Sequence, residues 1–217
     1  MVVRMITAGE QRRAEELFSI AFETPWQEEA YPTKKYAAFL DDNETMTSCL
    51  SIIPFSAHFD GKTVKMAGIG GVSSLPQYRR CGGIRGCFEK MLPDLYREEY
   101  ILSMLYPFST NYYRKFGYEV WARGARYELE LSHIPGLPRE GYSLLADSSN
   151  RKKVLEDIRL LTKEWERRYN GMVELTERAY AFAAEADPCR KQEFVYIHYD
   201  AQGAPAGYMV YRKERDG

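Results

Sequence analysis

The chain has 217 residues, room for one large domain or about one and a half ordinary ones, and its 45% hydrophobic content can bury a real core. Its 30 basic and 31 acidic residues nearly cancel, so no global field gathers nucleic acid and charge must act locally. Cys49, Cys81, Cys87 and Cys189 lack the spacing of a disulfide scaffold, His58, His133 and His198 lack the spacing of a zinc site, and no apolar run reaches the ~18 residues that span a bilayer.

The N-terminus has no basic-then-apolar signal, so a soluble, cytoplasmic protein with reduced thiols is expected. Val2 to Ile6 suits a first strand. Thr7 and Glu10 form a capping box, after which Ala14, Leu17, Phe18, Ala21 and Phe22 line one face of a helix ended by Pro25. Next, Trp26, Tyr31 and Tyr36 mix with Glu28 and Glu29 around Pro32. This stretch is either an aromatic and acidic wall that attracts cationic amines or a solvated connector. Residues 37–41 and 45–59 read as strands, and Asp60 with Gly61 marks a hairpin turn into residues 62–70.

Residues 66–97 read as strand, basic turn and helix. Ile69, Val72 and Leu75 mark a buried strand ended by Pro76; Tyr78 to Gly83 form the turn. Ile84, Cys87, Phe88, Met91 and Leu92 then recur at helical spacing, with a bend or stop expected at Pro93. A helix start has amides without acceptors and partial positive charge, Gly82 and Gly83 let the backbone approach an anion, and Arg79, Arg80 and Arg85 add cationic donors. The arrangement therefore fits a phosphate; it equally fits a glycine-capped helix with solvated arginines. Cys81 in the turn is either a thiol activated by this charge or a tolerated neighbour. A P-loop is excluded because Ile84 follows Gly83, and a dinucleotide fingerprint fails because Ser73 stands at its third glycine.

Tyr100 to Tyr106 reads as another buried strand, Tyr112 to Phe116 as a short helix, and Tyr118 to Leu131 as a final strand pair. The order predicts an α/β (α+β) fold, a mixed, mostly antiparallel sheet flanked by helices. The region 137–149, with Pro138 and several polar residues, looks like a crossing segment. Val154, Leu155, Ile158, Leu161 and Trp165 form a helical stripe, Ala179 to Ala186 suggests a second helix, and Phe194 to Tyr199 with Tyr208 to Tyr211 forms a hairpin. Two helices and one hairpin make an incomplete layer, so a truncated or shortened form is expected.

Arg79-x-x-Gly82 after a strand resembles the acetyl-CoA pyrophosphate loop of the GNAT superfamily of N-acetyltransferases, Gln/Arg-x-x-Gly-x-Gly/Ala. Ile84 departs from that pattern at the sixth place; a bulky aliphatic residue there followed by an arginine, as in Ile84 and Arg85, resembles the Eis subfamily. A second match, Tyr113-x-x-Phe116-Gly117-Tyr118, is similar to the segment carrying the catalytic tyrosine of Eis-type enzymes and maps that residue onto Tyr113, with Tyr106 and Tyr112 as rivals.

The resemblance implies a GNAT domain over residues 1–136, a linker at 137–150 and the beginning of a second GNAT-like domain at 151–217. It implies acetyl transfer from acetyl-CoA, with no metal, to a primary amine of an aminoglycoside-like cation or of lysine. The alternative is a non-catalytic acyl-CoA-binding or assembly module. Val72, Ser73 and Ser74 are expected to pair with the pantetheine arm, and Arg79, Arg80, Cys81, Gly82, Gly83, Ile84 and Arg85 to hold the diphosphate. Tyr113 is expected to protonate the departing thiolate, and Trp26, Glu28, Glu29, Tyr106 and Phe108 to face the acceptor. Eis-type relatives imply a hexamer. They also use their own C-terminal carboxylate in the site, a role not assigned to Gly217 because this chain ends short of the matching point.

Overall fold

The computed structural model describes residues 1–25, 33–40, 44–133, 140–189 and 191–214. The chain forms two compact units, residues 1–57 with 62–123, and residues 58–61 with 124–217.

In the first unit, β1 (Val2–Met5), β2 (Lys34–Phe39), β3 (Met46–Phe59), β4 (Lys62–Ser74) and β5 (Leu102–Leu105) lie side by side in that order. β1 runs antiparallel to β2 and β2 to β3, whereas β4 and β5 are parallel because α2 (Gly83–Arg97) crosses between them. A two-residue turn joins β3 to β4: Asp60 (φ 50°) and Gly61 (φ 70°) are both left-handed, as a tight hairpin requires.

Side-chain alternation gives the sheet two cores. Tyr36, Ala38, Leu50, Ile52, Ala67 and Ile69 face Ile84, Cys87, Phe88, Met91 and Leu95 of α2. Ala37, Phe39 and Cys49 face Ala14 and Leu17 of α1 (Gln11–Phe22) on the other side. Before α1, Glu10 reaches back to the Thr7 amide at 2.8 Å and makes a two-pronged ion pair with Arg4, the capping box read in the sequence.

α2 does not stop at Pro93 but runs through it to Arg97. Pro93 and Glu89, whose carbonyl loses its partner there, are both exposed, so solvent takes the lost bond. The Tyr36 hydroxyl donates to Asp94 at 2.6 Å and ties the helix to β2. α3 (Thr110–Arg114) is started by Ser109, whose Oγ accepts the Tyr112 amide at 3.3 Å, and Gly117 (φ 88°) turns the chain away after it.

The strand pair expected over Tyr118 to Leu131 does not form: residues 118–130 carry no regular structure, and residues 119–130 are exposed throughout. Alternation specifies a face but supplies no ladder partner, and among the described residues no strand pairs with this segment.

In the second unit, β6 (Tyr142–Leu145), β8 (Glu193–Tyr199) and β9 (Pro205–Arg212) form an antiparallel sheet in the order β6, β8, β9. β6 falls where a crossing segment was expected, because β8 supplies a partner that Pro138 and the polar neighbours did not reveal. α4 (Arg151–Glu166) packs Val154 and Ile158 against Val195, Ile197 and Tyr199 of β8, and the Tyr199 hydroxyl donates to Asp157 at 2.5 Å. Between α4 and β8 lie the short β7 (Met172–Val173) and α5 (Ala181–Ala184), the latter after a 3-10 turn from Glu177 to Tyr180. Ala179 to Ala186 is thus a broken helix.

Candidate active site

The site forms where β4 outruns β5. Their ladder ends at Ile69 opposite Leu105, yet β4 continues to Ser74, and no other strand pairs with that edge among the described residues. Gly71 (φ 59°) kinks β4 within this overhang, and a side chain there would press on the Phe18 ring, 2.9 Å from an added Cβ. Ser73 is buried with its Oγ donating to the Gly71 carbonyl at 3.0 Å, and Ser74 shares a 2.7 Å hydrogen bond with Ser48 of β3. Val72, Ser73 and Ser74 therefore present a held backbone along an unpaired strand edge.

The next turn aims amides at the same end. Arg80 (φ 66°) and Gly82 (φ 87°) are left-handed, and α2 begins at Gly83. The Arg79 and Cys81 amides donate within the turn, to Pro76 at 3.3 Å and Tyr78 at 3.4 Å. The amides of Arg80, Gly82, Gly83, Ile84 and Arg85 have no acceptor among the described residues. Such a nest of amides at a helix start suits an anion. The guanidinium groups of Arg79, Arg80 and Arg85 have no carboxylate partner among the described residues either, so their charge is not already spent on the protein. Cys81 is exposed in this turn and its Sγ lies 3.7 Å from the Arg79 carbonyl, while Ile84 is buried beneath the turn and holds it to the sheet.

Two glycines press α2 against the strands. A Cβ on Gly83 would meet Ser48 Oγ at 2.4 Å, and one on Gly86 would meet Val3 at 2.8 Å. The backbone at the helix start thus lies directly on the sheet, a contact the sequence marks only by the presence of glycine.

Tyr113 belongs to the same core as α2, on the same face of the sheet. It is 3% exposed and ringed by Phe88, Phe108, Tyr112 and Tyr118, with centroids 5.2 to 6.3 Å away. Its hydroxyl has no hydrogen-bond partner among the described residues, whereas the neighbouring Tyr118 hydroxyl is engaged by Ser103 at 2.6 Å. Burial, and secondarily the neighbouring phenols of Tyr112 and Tyr118, push the Tyr113 phenol up to about 12. It remains a proton donor at any physiological pH.

The rival Tyr112 is only half-buried, and Tyr106 is fully exposed. Phe108, 74% exposed, covers Tyr113 edge-on at 5.4 Å. Trp26, Glu28 and Glu29, expected at the acceptor side, lie outside the described residues, as does Gly217. Sequence reasoning missed Ser48 and Gly86, whose contacts run across the sheet and leave no local signal beyond the glycine itself. No group of three or more His, Cys, Asp or Glu side chains suited to a metal occurs among the described residues, and no described helix is long and apolar enough to cross a membrane.

The sequence pattern of the acetyltransferase (GNAT) domain matches residues 2–121, more than half the chain. No curated protein matches. Among solved structures, a conserved Enterococcus faecalis protein described as a probable N-acyltransferase is 27% identical with a TM-score of 0.72, covering 98% of this chain and 55% of that one. A GCN5-related N-acetyltransferase from Anabaena variabilis (17% identity, TM-score 0.71, 99% of this chain and 55% of that one) shares the fold. So does Eis1 from Mycobacterium abscessus (19%, 0.64, 97% and 53%). The chain spans about half the length of these proteins.

Proposed function

The chain belongs to the GNAT acetyltransferase family, whose members use acetyl-CoA as co-substrate, and from this we propose that it transfers an acetyl group to a primary amine of an aminoglycoside-like cation or of lysine, in the manner of the Eis subfamily. The observation that carries the reading is the row of acceptor-free amides from Arg80 to Arg85 beside an unpaired β4 edge, on the face of the sheet that holds Tyr113.

Bound acetyl-CoA supplies an acyl thioester whose carbonyl is open to an amine and whose sulfur leaves as a thiolate. The amides of residues 80–85 and the three arginines neutralise and fix a diphosphate. The β4 edge at Val72 to Ser74 orients the arm and donates to the thioester carbonyl, as an oxyanion-type donor does. Tyr113 gives its hydroxyl proton to the sulfur. Ordinary values near 10 for a phenol and 8.5 for a thiol make that transfer uphill by about 2 kcal/mol. The aromatic surround of Tyr113 widens the gap to about 5 kcal/mol, from a phenol at about 12. An apolar surround of this kind also disfavours a developing thiolate, so proton transfer proceeds together with carbon–sulfur cleavage. Phe108 and Tyr106 offer ring faces to a cationic acceptor. Residues 151–217, after a linker at 137–150, are read as the beginning of a second GNAT-like domain, a reading supported by structural matches that extend over 97–99% of the chain.

Calorimetric titration with acetyl-CoA, followed by a thiol-release assay over a panel of aminoglycosides and lysine peptides, tests the reading. Binding with amine-dependent release supports it; binding without release makes the chain an acyl-CoA-binding module, and no binding overturns both.

A further inference from the structure

Glycine stands at positions 68, 70 and 71 of β4, and two of the three carry an aromatic ring in the space a side chain would fill. A Cβ on Gly68 would lie 2.7 Å from the Phe55 ring, and one on Gly71 would lie 2.9 to 3.3 Å from three atoms at the tip of the Phe18 ring. Gly70 has no such cover, since its Cβ would meet nothing nearer than Ile53 Cδ1 at 3.7 Å. The two ring contacts differ in what surrounds them. Gly68 is paired with Met104 inside the β4–β5 ladder, which by itself fixes the strand. Gly71 lies beyond the end of that ladder, with φ at 59°.

Glycine takes left-handed and extended backbone about equally readily, so the residue does not choose the kink by itself. Such a kink persists where its surroundings over-determine it. Two contacts meet at Gly71: the Ser73 Oγ donates to its carbonyl at 3.0 Å, and the Phe18 ring rests where a side chain would project. Phe18 belongs to α1 and packs on the core of Ala14, Leu17, Ala37 and Phe39, on the opposite face of the sheet from α2 and Tyr113. Beyond the kink, Ser74 is pinned to Ser48 at 2.7 Å, so any freedom released at Gly71 falls on Val72 and Ser73. We propose that Phe18 is a positioning residue for acyl transfer: its ring, seated on Gly71 from the face opposite Tyr113, locks the kink that aims the Val72 to Ser74 edge at the thioester carbonyl. The inference rests on the acetyl-CoA reading above and adds to it a residue that acts only through Gly71.

The test separates turnover from binding and from stability. Phe18→Ala should lower kcat in the thiol-release assay about 10²-fold, the size expected when a donor is displaced by about 1 Å. Acetyl-CoA affinity by calorimetry should stay within about threefold of the parent, because residues 79–85 are untouched. Phe18→Met, which refills the space with an unbranched side chain, should recover most of the lost kcat. Phe55→Ala removes the matching ring from Gly68 and should lower the melting temperature while leaving kcat within about twofold of the parent. In the ligand-free chain, deuterium uptake over residues 70–75 should rise in Phe18→Ala and stay at the parent's level in Phe55→Ala. If the alanine variant does not fold, Phe18→Leu carries the same test with a smaller loss of kcat. Parental kcat in the Phe18 variants, unchanged uptake over residues 70–75, or an equal fall of kcat in Phe18→Ala and Phe55→Ala would overturn the inference and leave the acetyl-CoA reading standing. An unsubstituted chain that neither binds acetyl-CoA nor releases thiol overturns the two together.

Discussion

Replacing Gly83 by alanine tests whether contact with the sheet sets the position of the anion-binding helix start. The new Cβ would lie 2.4 Å from Ser48 Oγ, 2.9 Å from Ser48 Cβ and 3.3 Å from Ala38 Cβ. Ser48 is buried and its hydroxyl is held by Ser74 at 2.7 Å, so neither atom can move without breaking that bond or shifting β3. Overpacking of this kind costs about 1–3 kcal/mol. Alanine returns up to about 1 kcal/mol through helix propensity, less at a first turn. The net expectation is a loss of about 1–2 kcal/mol in thermal or urea unfolding, and, because the start of α2 lifts off the sheet, about tenfold weaker acetyl-CoA binding by calorimetry. Ser48→Gly in the same chain removes both close atoms and should recover most of each loss. Gly9→Ala, whose Cβ would meet nothing within 4 Å, is the neutral control. A Gly83→Ala chain that melts and binds like its parent would refute the reasoning, because the sheet would not then be what seats the helix.

Other perturbations have equally direct readouts. Tyr113→Phe should lower acetyl transfer about 10²- to 10⁴-fold in a thiol-release assay with acetyl-CoA affinity within about twofold of the parent; unchanged turnover would remove Tyr113 from the chemistry. Tyr36→Phe, which deletes the 2.6 Å bond to Asp94, should cost about 1–2 kcal/mol in urea unfolding. The bond from the Arg4 guanidinium holds the Glu10 carboxyl at about 2, down from 4.5. Because its folded value is depressed, the stabilisation is complete above about pH 4.5 and is lost as pH falls towards 2. The full shift corresponds to about 3 kcal/mol, which solvent screening of a partly exposed pair reduces to about 1 kcal/mol. Glu10→Gln should remove that amount at neutral pH and flatten the acid limb of a stability–pH curve.

Features carried by a residue's own backbone or by its near neighbours were legible in the sequence. The Asp60 and Gly61 turn, the Thr7 and Glu10 box, the buried stripe of α2 and the basic glycine turn each rest on local geometry. What escaped the sequence depends on partners far along the chain. Gly83 announces a close approach but not that Ser48 makes it. The alternation after Tyr118 promised a strand that no neighbour completes, and β6 appeared only because β8 lies beside it. Pro93 was over-read, since a proline on a solvent-facing side leaves its helix continuous. The aromatic surround of Tyr113 draws on α2 and on residues either side of α3, so the sequence could identify this tyrosine by resemblance but could not foresee how closely other rings would enclose it.

The alternation of β2 has a consequence for how this chain tolerates change in length. Tyr36 and Ala38 serve one core and Ala37 and Phe39 the other, so a single-residue insertion or deletion within the strand would exchange both sets at once. Indels there would evict Tyr36 from its bond to Asp94 and push Phe39 towards α2. Lengthening is best accommodated in the 119–130 segment, whose exposed backbone has no register to lose.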